Sequence, residues 1–302
     1  MDLRNAVWED HPQNPLIEPP GREWLVADPS VLTPDQTPDG HFHLFAWTVR
    51  GIHHYRSGDG IQWEKQQGKK RLFRGMRPFV FYENGYHLFY ERFISPRKTS
   101  VAVRSSSDLY HWSEPRTVLK PSFPWEGHFF HANGNPCVVK HEGKYRLYYS
   151  ASWIWLPDCK FTEPLHIAVA ESDLLLGPYT KRPEPIISPN PSVYWCNFGA
   201  GSIKVLPPKN GAPWIAFQNG IYKDQEGKSR SEIHVLESED GLHFTDANDN
   251  KPILAPEPGW KTALVYAMCV AFHEDRALMY YNARDGWFRG TERIGMATAK
   301  IG

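Results

Sequence analysis

Ala27-Asp28-Pro29-Ser30-Val31-Leu32 is the stretch on which the fold is read. Four later stretches repeat its plan: Met76-Arg77-Pro78-Phe79-Val80-Phe81, Gly134-Asn135-Pro136-Cys137-Val138-Val139, Ala200-Gly201-Ser202-Ile203-Lys204-Val205 and Tyr266-Ala267-Met268-Cys269-Val270-Ala271. Each runs into apolar residues that alternate or cluster, as strands do. Three carry Pro at the same place. Pro suits the first residue of a strand, where its missing N–H costs no ladder hydrogen bond. The residue before it (Asp28, Arg77 or Asn135) therefore sits at the mouth of its strand.

A second strand follows each time, as in Gly85-Tyr86-His87-Leu88-Phe89-Tyr90 and Gly143-Lys144-Tyr145-Arg146-Leu147-Tyr148-Tyr149, and most of these end in paired aromatics. A third strand then runs into a Ser/Asp/Gly turn closed by a bulky ring. These turns are Ser57-Gly58-Asp59-Gly60 before Trp63, Ser107-Asp108 before Trp112, Ser172-Asp173 before Tyr179, and Ser238-Glu239-Asp240-Gly241 before Phe244. A period of roughly 45 to 65 residues built from short strands is the signature of propeller blades. The reading is all-β: a single-domain, five-bladed β-propeller with four antiparallel strands per blade and a central axial pocket. The blades are expected at about 23–68, 75–120, 128–186, 194–252 and 258–302. The Val7-Trp8 segment is expected to supply the outer strand of the last blade. Antiparallel pairing returns the far ends of the second strands to the rim where the first strands start. That rim then collects Trp47, Glu91, Ser150 to Trp153, Gln218-Asn219 and Asn282, Arg284 and Asp285, and Ser202 at the fourth mouth is a further candidate for substrate binding.

Composition narrows the partners. The 34 basic and 34 acidic residues cancel, and no dense Lys/Arg run is present, so nucleic acid is not expected as a partner. No apolar run approaches a membrane span, and the first residues form no apolar leader, so a cytoplasmic protein without membrane contact is expected. The four cysteines stand far apart with no CxxC pair, which reads as free thiols rather than a zinc site. The 12 tryptophans suit either blade-to-blade packing or a cleft that stacks on sugar rings.

Asn14-Pro15-Leu16-Ile17 followed by Ala27-Asp28-Pro29-Ser30, the Gly143 to Tyr149 strand, the Ser172-Asp173 turn and the closing Tyr280-Tyr281-Asn282-Ala283-Arg284 with Glu292-Arg293-Ile294-Gly295 carry a resemblance. Together they resemble the five-bladed-propeller glycosidases, the group around glycoside hydrolase families 43, 32, 68 and 130, without fixing one family. The resemblance implies a carbohydrate substrate and makes Asp28 the general base or nucleophile. It also admits an axial calcium ion; no other cofactor and no metal ligand is expected. Asn135 stands where the group places a pKa-tuning aspartate, and Gly199-Ala200-Gly201-Ser202 where it places the acidic glutamate. An acid must then be recruited elsewhere, or the reaction differs, or catalysis is lost.

Glycoside cleavage needs one carboxylate below the sugar ring and one acid above the leaving oxygen. Glu91 is the first candidate acid, with an ion pair to Arg77 or Arg92 as its competing role. Glu126 is the second, and Glu292 and Asp285 follow. His128, His131, Asn133 and Asn135 form a polar cluster suited to sugar hydroxyls. Trp153 is a candidate stacking platform. Arg77, Arg92, Arg97 and Arg284 can bind phosphate or carboxylate through their guanidinium forks. Three classes of function follow: a glycosidase, a phosphorylase or related glycosyl-transfer enzyme, and a sugar-binding propeller without catalysis.

Overall fold

The structure is a computed structural model that describes residues 3–66, 71–127, 130–209 and 211–301. It is all-β. Its only helices among the described residues are three single 3-10 turns, Pro34–Gln36, Pro124–Glu126 and Tyr194–Cys196. No helix is long and apolar enough to cross a membrane.

After β1 (Glu9–Asp10) the strands run as antiparallel meanders of four. The first holds β2 (Ala27–Leu32), β3 (Phe42–Thr48), β4 (Gly51–Ser57) and β5 (Glu64–Lys65). The second holds β6 (Met76–Tyr82), β7 (Tyr86–Ser95), β8 (Lys98–Ser106) and β9 (Arg116–Leu119). The third holds β10 (Asn133–His141), β11 (Lys144–Leu156), β12 (Phe161–Ser172) and β13 (Thr180–Lys181). The fourth holds β14 (Gly199–Leu206), β15 (Trp214–Lys223), β16 (Ser229–Ser238) and β17 (Thr245–Asp246). The last holds β18 (Leu264–His273), β19 (Arg276–Arg284) and β20 (Glu292–Lys300), and β1 completes it by pairing Glu9 with Thr298 and Asp10 with Ala297. A single parallel bridge, Ser231 to Leu264, joins the fourth and last meanders into one larger sheet.

Adjacent residues of a strand point to opposite faces, and both faces of every meander are covered. This gives the paired residues of the second strands their meaning. Phe45 packs with Leu88 and Tyr90 of the second meander, while Leu44 packs with Cys269 and Tyr280 of the last. Phe89 packs with Val138 and Tyr149 of the third, and Tyr148 with Ile203 and Trp214 of the fourth. Phe217 packs with Val265 and Tyr281 of the last. Each of these rings is wholly buried, and burying one such side chain stabilises by about 1.5–3 kcal/mol. The innermost strands touch in cyclic order, β2 to β6, β6 to β10, β10 to β14, β14 to β18 and β18 back to β2.

The Ser/Asp turns close by one recurring device. Ser57 Oγ accepts the N–H groups of Asp59 and Gly60, and Asp59 Oδ1 accepts those of Ile61 and Gln62. Ser238 and Asp240 repeat it. In the second meander the serine that does this is Ser106, not Ser107, because the hydroxyl must precede Asp108 by two residues.

Candidate functional site

The five aligned mouth residues share one backbone conformation. Asp28 (φ 53°), Arg77 (φ 52°), Asn135 (φ 46°), Gly201 (φ 66°) and Ala267 (φ 37°) are all left-handed. Each sits in a break of pairing register, between Ala27 and Ser30, Met76 and Phe79, Gly134 and Cys137, Gly199 and Ser202, and Tyr266 and Met268. Such a bulge re-aims a side chain. Asp, Asn and Gly accept this conformation readily, whereas Arg77 and Ala267 hold it at a cost of about 1–2 kcal/mol each. The Pro that follows three of the mouths needs no ladder partner there.

The bulges aim Asp28, Arg77 and Asn135 into a cavity of about 270 Å3, which Ser202, Asn219 and Ala267 also line. Trp47 and Trp153 line it too. The Trp47 indole N–H donates to Asp28 Oδ2, and the Asp28 backbone N–H donates to Asn282 Oδ1 at 3.0 Å. Burial raises the Asp28 pKa above its ordinary value, against the opposing pull of Arg77, the Trp47 hydrogen bond and Lys204. Asn219 Oδ1 accepts from Ser202 Oγ at 2.6 Å and from the Ala267 N–H at 3.3 Å, so one amide ties the fourth and last mouths together. Trp153 stacks on Phe130 with ring centroids 5.3 Å apart and lies 6.0 Å from the Arg77 guanidinium.

Two further carboxylates enter this cavity. Glu292, at the start of β20, is held by Arg284 Nη1 at 2.9 Å. Arg284 does not itself line the cavity, being tied to the carbonyls of Gly286 and Trp287 and lying over Trp24 and Phe161. Burial raises the Glu292 pKa, with Arg284 opposing. The other is Glu163 of β12, opposite Ile154. Burial pushes its pKa up to about 8; Arg77 opposes, and the nearby Glu292 and Asp28 charges add to the rise. The Glu163 carboxyl makes no side-chain hydrogen bond among the described residues, and a carboxyl in such surroundings keeps its proton near neutral pH.

The expected acids are placed differently. Glu91 is wholly buried, pairs with Arg77 Nη1 at 2.8 Å, and lies outside the Asp28 cavity. Its register opposite Met76 sends it behind Arg77 and against Gly134, away from the cavity that holds Asp28. Glu126 is wholly buried too. It accepts the Phe123 N–H (2.8 Å), Asn133 Nδ2 (2.8 Å) and Lys181 Nζ. Burial pushes its pKa up, yet these hydrogen bonds outweigh it and hold the carboxyl below its ordinary value. Glu126 and Asn133 thus form a structural knot away from the cavity. His131 is engaged through its backbone with Arg97 and Thr99, and Gln218 Nε2 donates to the Ala200 carbonyl at 2.8 Å; neither lines the cavity. His128 lies outside the described residues.

A narrow void below the mouths is bounded by Asp28, Asn135, Lys204 and Met268. Lys204 brings an ammonium group there, donating to the Pro136 carbonyl at 3.1 Å. A calcium ion needs six to eight oxygen donors, and no cluster of three His, Cys, Asp or Glu among the described residues could hold a metal. The residues present do not fit an axial calcium. The four cysteines are buried free thiols.

Sequence reasoning missed Glu163. Its signal is the length of the third hairpin: β11 and β12 run 13 and 12 residues, beyond their counterparts in the other meanders, and fold Glu163 back over the mouths.

No family model and no curated protein matches the sequence. Solved structures do. The catalytic domain of Coprinopsis cinerea GH62 alpha-L-arabinofuranosidase aligns over 98% of each chain with a TM-score of 0.70 at 15% identity. The beta-1,2-mannobiose phosphorylase from Listeria innocua aligns over 96% of each chain with a TM-score of 0.64 at 14% identity. An N-acetylgalactosamine deacetylase from F. plautii aligns over 98% of this chain and 94% of its own, with a TM-score of 0.65 at 13% identity. The fold is therefore that of the propeller-type glycoside hydrolases and their relatives. Proteins of this fold differ in reaction, so the chemistry must be argued from the site.

Proposed function

We propose that the chain is a single-domain, closed five-bladed propeller that cleaves glycosidic bonds in the cavity around Asp28. The cyclic order of the innermost strands supports the closed wheel. The observation that carries the activity is the contrast between two carboxyl groups at one cavity. Burial raises both: the Glu163 carboxyl, without a side-chain hydrogen bond, is pushed up to about 8, whereas Asp28 accepts a hydrogen bond from Trp47 and lies near the Lys204 ammonium as well as Arg77, contacts that favour its ionised form. Environments that separate two such groups assign the acid and the base.

In this reading Glu163 gives its proton to the leaving glycosidic oxygen. Asp28, ionised, either takes a proton from the attacking water or attacks the anomeric carbon itself. Glu292 and Arg77 set the charge around the sugar. Trp47 and Trp153 flank it, and Asn135, Ser202 and Asn219 offer hydrogen bonds to its hydroxyls. Hydrolysis is favoured over phosphorolysis because Arg77 and Arg284 are each already engaged by a glutamate.

The test is a screen of aryl glycosides and oligosaccharides, with and without inorganic phosphate, on the wild type, Asp28→Asn and Glu163→Gln. Phosphate-independent turnover lost in both variants supports the reading. Turnover that requires phosphate, or that survives Asp28→Asn, refutes it. Saccharide binding without turnover by any of the proteins leaves a binding propeller instead.

A further inference from the structure

A second and larger cavity, about 740 Å3, opens at the same rim between the first and second meanders. That volume is within the range of ligand sites. Five arginines border it: Arg50 in the turn from β3 to β4, Arg71 and Arg74 between β5 and β6, Arg92 in β7 and Arg104 in β8. Its one carboxylate, Glu91, is already paired with Arg77. Arg104 is tied to the Tyr90 hydroxyl and the Ser113 carbonyl, and Arg50 reaches Glu23 at 3.9 Å. The side chains of Arg71, Arg74 and Arg92 have no hydrogen-bond or ion-pair partner among the described residues.

Glycines keep the groove's shape. A Cβ on Gly51 would lie 2.5 Å from the Phe73 carbonyl and 2.8 Å from Arg71 Cδ, and one on Gly75 would collide with the Tyr90 ring. Trp47, Met76 and Phe93 line both cavities. Because Trp47 also donates to Asp28, the groove begins one side chain from the proposed reaction centre.

A chain whose 34 positive and 34 negative residues cancel has here gathered five guanidinium groups, three of them with neither a hydrogen-bond nor an ion-pair partner among the described residues. Such a surface attracts an anion, and the guanidinium fork matches the oxygens of a carboxylate or sulfate. We propose that this groove is a subsite for an anionic unit of the saccharide, bearing a uronate carboxylate or a sulfate ester, next to the unit held at Asp28. The proposal deepens the glycoside-cleaving reading and rests on it for the identity of the ligand as a saccharide.

The experiment is calorimetric titration of the Asp28→Asn protein, in which binding is read without turnover. The probes are oligogalacturonate, glucuronate-substituted xylo-oligosaccharide and sulfated carrageenan oligosaccharide, each beside a neutral oligosaccharide of equal length, and inorganic phosphate alone. One acidic class is expected to bind about tenfold tighter than its neutral counterpart, and which class does so separates uronate from sulfate. The preference should weaken as salt rises. Adding Arg71→Gln with Arg74→Gln, or Arg92→Gln alone, should remove most of it. Equal affinity for acidic and neutral probes, or a preference that survives both sets of substitutions, overturns the proposal. Tight phosphate binding without any acidic-sugar preference also overturns it, assigning the groove to a free anion. Failure of the catalytic reading would show in the turnover screen, not in these affinities.

Discussion

Glu163→Gln should stabilise the protein above neutral pH and change it little in acid. In the folded chain the Glu163 carboxyl titrates at about 8, against an ordinary value of 4.5. The separation is 8 − 4.5 = 3.5 pH units, and at about 1.4 kcal/mol per unit it corresponds to roughly 5 kcal/mol. With 7% exposure the group is screened little by water. Because the folded value is raised, the native state binds this proton more tightly than the unfolded chain does. Its contribution is fully present below pH 4.5, falls away as pH rises toward 8, and is absent above. Glutamine cannot ionise, so the variant escapes that loss. Urea unfolding of both proteins at pH 5, 7 and 9 isolates the effect, since every other titration is common to the pair. The gap should be within about 1 kcal/mol at pH 5 and grow to a few kcal/mol at pH 9. A gap that does not widen with pH would refute the buried, proton-holding Glu163 on which the acid role depends.

Activity should fall as pH rises through about 8, where Glu163 loses its proton, and should fall in acid as Asp28 gains one, at a pH above its ordinary 3.8; a pH–rate profile of the wild type checks both limbs. Asp28→Asn should abolish turnover while leaving the melting temperature near that of the wild type, as followed by circular dichroism and product assay. Arg77→Ala should cost about 3–5 kcal/mol in urea unfolding, because it strands the buried Glu91 charge, and adding Glu91→Gln should recover part of that loss. Gly134→Ala should destabilise by several kcal/mol, roughly the cost of breaking the same pair, because its Cβ would strike the Glu91 carboxylate. Gly143→Ala, at φ 78° with open space around it, should cost only about 1–2 kcal/mol.

What could be read from sequence was whatever the backbone imposes locally. The Pro after Asp28, Arg77 and Asn135 marks a place where the ladder is broken, and the aligned positions at Gly201 and Ala267 share the same left-handed turn without it. The aromatic pairs were visible as a pattern. Their cause, one ring to each neighbouring interface, is a matter of strand alternation. Side-chain destinations were less legible. Glu91 and Glu163 both lie in strands and look alike in sequence. One is drawn behind a guanidinium and the other is buried beside Asp28 and Glu292 without a hydrogen bond to its carboxyl, a difference set by which residues arrive from other meanders. Arg77 and Arg284, read as able to bind phosphate or carboxylate, each pair with a glutamate of the chain, at 2.8 and 2.9 Å. The groove arginines come from a turn, a connection and two strands, and their convergence has no sequence period.

The pairing of Glu9–Asp10 with Ala297–Thr298 reaches further than its two residues suggest. On the same stretch Glu292 is clasped by backbone hydrogen bonds to Trp24 and Val26, which lead directly into Asp28. During synthesis residues 9–10 can take up this pairing only after 297–298 have been made. A chain interrupted before Glu292 holds Asp28 but lacks Glu292 and the backbone clasp to Trp24 and Val26, so the proposed site would be complete only once these distant segments have met.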